Sequence, residues 1–134
     1  MTFLGGPQSD YAYPAFVSRV VDGDTVGAEL TLINNDLGFG ISAFQTITFK
    51  RMRLAGIDSP EPKTQAGANA KVHIESLLGP LPAKCVITTV KDRADGHGRY
   101  LAWITLPDGT VVNQQMVTDG FAVALGPHPT APPS

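Results

Sequence analysis

The chain holds a single cysteine, Cys85, so no intrachain disulfide can form and a disulfide-stapled fold is excluded. No Cys/His cluster has zinc spacing, and His73, His97 and His128 are scattered without a ligand pattern. No apolar run approaches the ~20 residues of a membrane-spanning helix. The opening stretch, M-T-F-L-G-G-P-Q-S-D, has neither the basic start nor the long apolar core of a secretory signal. The expected location is therefore cytoplasmic, or secreted if a leader has been removed. An excess of basic charge is missing too. Ten Lys and Arg stand against 12 Asp and Glu, a net charge of −2, which argues against tight, sequence-blind nucleic-acid binding but leaves room for a local cationic cleft.

What is present suits one folded domain. A chain of 134 residues, 43% hydrophobic, can bury a core without staples. Residues 1–12 read as a loosely held N-terminal segment, 13–125 as the folded domain, and 126–134, G-P-H-P-T-A-P-P-S, as a Pro-rich tail. Phe16 to Val21 reads as a first strand ending in the turn V-D-G-D-T. Val26, Ala28, Leu30 and Leu32 then alternate with Gly27, Glu29 and Thr31, as in a half-buried strand. Phe44 to Ile57 is β-like with a change of phase: Ile47 and Phe49 share one parity, Met52 and Leu54 the other. A bulge or sharp bend in a closed barrel absorbs such a switch and leaves Arg51 and Arg53 opposite the face of Met52 and Leu54.

Thr64 to Leu78 carries a helical stripe of Ala66, Ala70, Ile74, Leu77 and Leu78, with Thr64 as a cap and Gly79-Pro80 as a stop. Ala83 to Lys91 and Tyr100 to Leu106 read as strands, and Asn113 to Thr118 as a short helix. Cys85, inside K-C-V-I-T-T-V, reads as a small buried hydrophobe rather than a nucleophile. Three strands, a helix, two strands and a short helix fit a small mixed sheet or a five-stranded Greek-key barrel; the oligonucleotide-binding barrel is one such fold.

Two acidic clusters stand out. Asp22 and Asp24 flank Gly23 in a turn, and Asp58 and Glu61 lie in G-I-D-S-P-E, where Pro60 and Pro62 stiffen the backbone. Their hard oxygen donors suit Ca²⁺ or Mg²⁺ better than zinc. Taken singly, each has an ordinary explanation: Asp-Gly-Asp is common in surface turns, and Asp58 to Glu61 can cap the following helix. Two arginines shift the balance. Arg53 precedes Asp58 by five residues, and Arg99 opens a strand in D-G-H-G-R-Y. A divalent ion, two guanidinium forks and a free carboxylate are the parts that phosphoryl transfer requires.

V-D-G-D-T, M-R-L-A-G-I-D-S-P-E, D-G-H-G-R-Y-L-A-W-I and D-G-T-V-V-N-Q-Q-M-V-T-D-G-F-A occur in this order. Together they resemble the signature blocks of staphylococcal-nuclease-like (thermonuclease-like) domains, from about Phe16 to Ala124. The resemblance implies an α+β, mainly β, five-stranded oligonucleotide-binding barrel with one main helix and a short C-terminal helix. It also implies a Ca²⁺-dependent nuclease acting on DNA or RNA with little sequence preference and leaving 3′-phosphate ends. By the same resemblance Asp24 and Asp58 match the carboxylate ligands to Ca²⁺, and Ser59 the residue whose carbonyl completes them. Asp22 matches a nearby supporting acid. Glu61 matches the general base, and Arg53 and Arg99 the phosphate-binding arginines.

This sequence departs from the family pattern in places. The stretch between Thr25 and Arg53 is long, which predicts an extended hairpin, and the link from Glu61 to the helix is short. His97 stands where Tyr is common. The chain stops soon after Gly120, so the family's last helix and its base-stacking aromatics are expected to be missing and substrate binding weaker. The partner expected is a nucleic-acid substrate, with no membrane; oligomeric state stays open. The alternative reading is a non-catalytic module of the same family that binds nucleic acid or protein.

Overall fold

The computed structural model describes residues 11–34, 38–91, 100–125 and 129–132. Among them the elements run β1 (Tyr11–Asp22), β2 (Thr25–Asn34), β3 (Ala43–Leu54), β4 (Ile57–Asp58), α1 (Gln65–Leu78), β5 (Ala83–Lys91), β6 (Tyr100–Thr105), α2 (Val112–Thr118) and β7 (Val123–Ala124). Five strands close into a barrel in the order β1-β2-β3-β6-β5. Neighbours are antiparallel except β3 and β6, which are parallel. This is the five-stranded oligonucleotide-binding type of barrel, mainly β with two helices.

β1 is long because it serves two partners. Tyr11 to Val17 pair with β5, and Ala15 to Asp22 pair with β2. The sequence predicts only Phe16 to Val21. The Tyr-Ala-Tyr-Pro stretch before it has little local strand signal, and its pairing comes from Val86 to Thr89 across the barrel. The ladder thus takes in Tyr11 and Ala12, which the sequence assigned to the N-terminal segment.

The inward faces meet in one core that includes Val17, Val26, Ala28, Met52, Leu54, Ile57, Ile87 and Ile104. α1 lays Ala70, Ile74 and Leu78 onto it. Thr64 caps α1 by accepting the Gly67 N–H on its hydroxyl at 3.0 Å, and the Gly79 N–H closes the other end on the Glu75 carbonyl. Cys85 is buried in this core, and burial pushes its thiol up to about 11, which suits a hydrophobe and not a nucleophile.

The phase change in β3 is a bulge. Val26 faces Met52 but Ala28 faces Phe49, so Lys50 and Arg51 together oppose Gly27. The Arg19 guanidinium donates to the Lys50 carbonyl at 2.9 Å and packs over Gly27, holding the bulge in shape. The outer half of the β2–β3 hairpin projects from the barrel, with Phe44 70% exposed.

The parallel seam between β3 and β6 is short, Arg53 with Leu101 and Leu54 with Ala102. A fully buried side chain, Asn113 of α2, reinforces it. Its Nδ2 donates to the carbonyls of Ala55 at 2.8 Å and Ala102 at 2.9 Å, while its Oδ1 accepts the Ile104 N–H at 3.0 Å. After α2 the chain returns to pair β7 with β4, a two-stranded sheet outside the barrel. His73 of α1 supports that return. Its Nε2 lies 2.7 Å from an Asp119 oxygen, and its ring stacks on Phe121 at 4.0 Å between centroids. Further on, the Pro129 carbonyl accepts the Trp103 indole N–H at 2.9 Å. No helix among the described residues is long and apolar enough to cross a membrane.

Candidate active site

The barrel brings the two acidic clusters together although more than thirty residues of chain separate them. In the V-D-G-D-T turn the Asp22 carboxylate accepts the Asp24 N–H at 3.1 Å. This side-chain turn holds the backbone that presents Asp24. The Asp24 carbonyl accepts the Leu54 N–H at 2.8 Å, which locks the turn beside the end of β3. Gly23 is required by close approach. A Cβ there would lie 2.7 Å from that of Ala70 and 2.9 Å from the Ser59 side chain. The glycine of the motif lets α1 and the Asp58–Glu61 segment pack directly on the turn.

Asp24 is only 6% exposed, yet both its oxygens are used. One accepts the Thr25 hydroxyl at 3.1 Å; the other accepts the Ser59 N–H at 3.2 Å and faces Arg53 at 3.6 Å. Burial is the largest influence on this group, and with Asp22 it raises the carboxyl pKa against the opposing pull of the Ser59 amide and Arg53.

Asp58 lies in β4, an element too short to read from sequence. Its neighbour Ile57 is fully buried and pairs with Ala124 of β7, while Asp58 pairs with Val123. The Leu125 N–H donates to the Gly56 carbonyl at 2.7 Å and continues the clamp. The end of the described domain thus fixes a side chain from its middle. Arg53 donates from Nη2 to the Asp58 carboxylate at 3.1 Å and to the Ile57 carbonyl at 3.4 Å.

Glu61 is exposed, and its backbone is tightly held. Its carbonyl accepts the Thr64 hydroxyl at 2.7 Å and the Thr64 N–H at 3.0 Å. Gly67 makes room for it, because a Cβ on Gly67 would lie 1.9 Å from the Glu61 carbonyl oxygen.

These residues line one cleft of about 500 Å³: Asp22, Asp24, Arg53, Asp58, Ser59 and Glu61, with Thr25, Arg51, Pro60 and Pro62. Every sequence-predicted site residue is in it except Arg99, which lies outside the described residues, as does His97. Among the described residues four lining carboxylates face two guanidinium groups, so this part of the wall carries an excess of negative charge. Among the described residues, no three His, Cys, Asp or Glu side chains stand close enough to cage a metal by themselves. Sequence reasoning placed Arg51 opposite the core face but gave it no role, and it missed the bridge that Asn113 makes across the β3–β6 seam. An asparagine just inside a short helix carries no local sign of the two backbone carbonyls it will meet.

Comparison with known proteins gives the family of the chain. The sequence model of the family described as "Staphylococcal nuclease homologue" matches residues 51–131, and the chain belongs to that family. An "Uncharacterized endonuclease" of Escherichia coli O157:H7 is 34% identical over 87% of this chain and 63% of its own length; a protein of that name from Escherichia coli gives the same figures. "Endonuclease YhcR" of Bacillus subtilis (strain 168) is 25% identical over 87% of this chain but only 9% of its own length. The chain therefore spans less than two thirds of each of these curated relatives.

Proposed function

We propose that this chain is a Ca²⁺-dependent nuclease that hydrolyses phosphodiesters of DNA or RNA with little sequence preference, leaving 3′-phosphate and 5′-hydroxyl ends. The observation that carries the reading is the gathering of Asp24, Arg53, Asp58 and Glu61 into one cleft. The relatives named endonucleases point the same way.

The donor set fits a hard divalent cation. Asp24 and Asp58 offer carboxylate oxygens, Ser59 a backbone carbonyl and Asp22 a supporting charge, in a cleft whose described residues carry surplus negative charge. Among the described residues no three side-chain ligands stand together, so an ion held by Asp24, Asp58 and the Ser59 carbonyl would leave places for water and a phosphate oxygen. When bound, Ca²⁺ supplies positive charge to the phosphate as charge develops on its oxygens.

The chain's own residues do the rest. Arg53, already reaching Asp24 and Asp58, turns its fork to the substrate phosphate, and Arg99 contributes a second fork. Glu61, exposed on a fixed backbone, orients a water and takes its proton as the oxygen attacks phosphorus. The bond from phosphorus to the 5′ oxygen breaks in line, and that oxygen takes a proton from solvent water and leaves as a hydroxyl. Contacts made to phosphates carry no sequence information, which fits weak sequence preference.

The test is digestion of single- and double-stranded substrates with Ca²⁺ or chelator, using wild type, Glu61→Gln and Arg53→Ala, each checked for folding by circular dichroism. Chelator should stop cutting, and Glu61→Gln should lower kcat by about 10²-fold or more. Products should carry 5′-hydroxyl ends that accept phosphate from a kinase. Substrate binding without Ca²⁺-dependent cutting would assign the chain to the non-catalytic modules instead.

A further inference from the structure

The structure assigns to Arg51 a contact with a phosphate flanking the scissile one, which makes the cleft select a polynucleotide over a single-phosphate ester. This rests on the phosphodiesterase reading above and adds a residue to it.

The β3 bulge carries the inference. Ile47 and Phe49 are both half-buried and of odd number, so an unbroken strand would turn Arg51 to the same side as these two residues. With Lys50 and Arg51 together facing Gly27, the phase flips. Met52 and Leu54 are buried, and Arg51 joins Arg53 on the outer face along the cleft. Arg19, donating to the Lys50 carbonyl across Gly27, fixes that geometry. A bulge that re-aims a side chain beside a site is a built feature rather than a loose surface residue.

The two guanidinium groups differ in their commitments. Arg53 is engaged by Asp24, Asp58 and the Ile57 carbonyl. Arg51 is exposed, lines the same cleft, and its guanidinium has no hydrogen-bond or ion-pair partner among the described residues. Two positions apart on a strand is a step of about 6.6 Å, comparable with the reach from one phosphate of a nucleic-acid strand to the next. A free cation at that distance from the arginine holding the reacting phosphate meets the neighbouring phosphate. A substrate with one phosphate leaves it idle. The contact carries no sequence information, and its strength falls as salt rises.

The experiment compares wild type, Arg51→Ala and Arg51→Lys on a single-stranded oligonucleotide and on a nitrophenyl ester of a nucleoside monophosphate, over a range of salt. Oligonucleotide binding is read in parallel by fluorescence anisotropy on the Glu61→Gln background. Arg51→Ala should raise the oligonucleotide KM about five-fold at ~0.1 M salt and reduce the magnitude of the log K against log salt slope by about 0.7, the value for one phosphate contact on a single strand. The change should lie in KM rather than kcat, with the oligonucleotide-to-ester preference falling by the same factor and Arg51→Lys keeping most of the slope. An unchanged slope overturns the inference. So does an equal loss on both substrates, which would put Arg51 at the reacting phosphate. Failure of the nuclease reading looks different: wild type leaves both substrates uncut, while anisotropy still reports whether Arg51 meets a phosphate.

Discussion

Gly67→Ala should reverse the usual sign of a helix substitution. Gly67 lies in the first turn of α1, and in an ordinary helix Ala stabilises by about 1 kcal/mol over Gly. Here the new Cβ would lie 1.9 Å from the Glu61 carbonyl oxygen, 2.6 Å from its carbon and 2.9 Å from Pro62 Cα. All three are backbone atoms, so no side-chain rotation relieves the clash. The Glu61 carbonyl has to retreat by roughly 1 Å in a close-packed surrounding. That retreat breaks its bonds from the Thr64 hydroxyl and N–H, at 2.7 and 3.0 Å, and disturbs the Thr64 cap on Gly67. Overpacking of this kind costs about 1–3 kcal/mol, and lost bonds about 1 kcal/mol each. The helix-propensity gain offsets only part, leaving a net destabilisation of about 2–4 kcal/mol. Urea denaturation measures it, with Asn69→Ala, an exposed position in the same helix, as the comparison. Cutting should fall more than stability alone accounts for, because Glu61 is displaced, and the fall should lie mainly in kcat. A Gly67→Ala protein that is more stable than wild type and equally active would refute the reasoning.

Three further outcomes follow from the same geometry. Asn113→Ala should destabilise by about 2–5 kcal/mol in urea, because the Ala55 carbonyl and Ile104 amide lose their partner while the Ala102 carbonyl keeps the Ala55 N–H; a loss below about 0.5 kcal/mol would deny the clamp. Burial raises the Asp24 carboxyl, so its charged form costs stability in full above the raised pKa, and that cost disappears as pH falls towards the unfolded value. In the absence of Ca²⁺, wild type should therefore gain stability relative to Asp24→Asn on acidification through this range; a difference flat from pH 7 to pH 4 would contradict the burial argument. Cys85, buried with its thiol near 11, should resist a chromogenic disulfide reagent at pH 8 until denaturant is added, and rapid labelling of the native protein would show the core to be open there.

Much of the fold was legible in the sequence because it is written in local pattern. Alternation marked β2, the 3.6-residue stripe and Thr64 cap marked α1, and the parity switch between Phe49 and Met52 marked a bulge or sharp bend, which the pairing register shows to be a bulge. The acids and Arg53 were legible as residue types in a known order. Where the sequence fell short, the missing information was non-local. β1 extends to Tyr11 because Val86 to Thr89 pair with it, and β4 exists because Val123 and Ala124 return to it. Neither has enough local signal to stand alone.

The sequence by itself determined which chemistry the chain carries: hard oxygen donors, guanidinium forks, a lone cysteine set in an apolar strand, and the strands and helix that bear them. Only the tertiary structure decided that Asp24, Asp58, Glu61 and Arg53 share one cleft, that Arg51 joins them, that β7 holds Asp58 in place, and that Asn113 clamps the seam between β3 and β6. The reason is physical. Residue type and periodicity are properties of neighbours along the chain. The distance from Asp24 to Ser59, thirty-five positions away, is set only when the barrel closes and desolvates the turn between them.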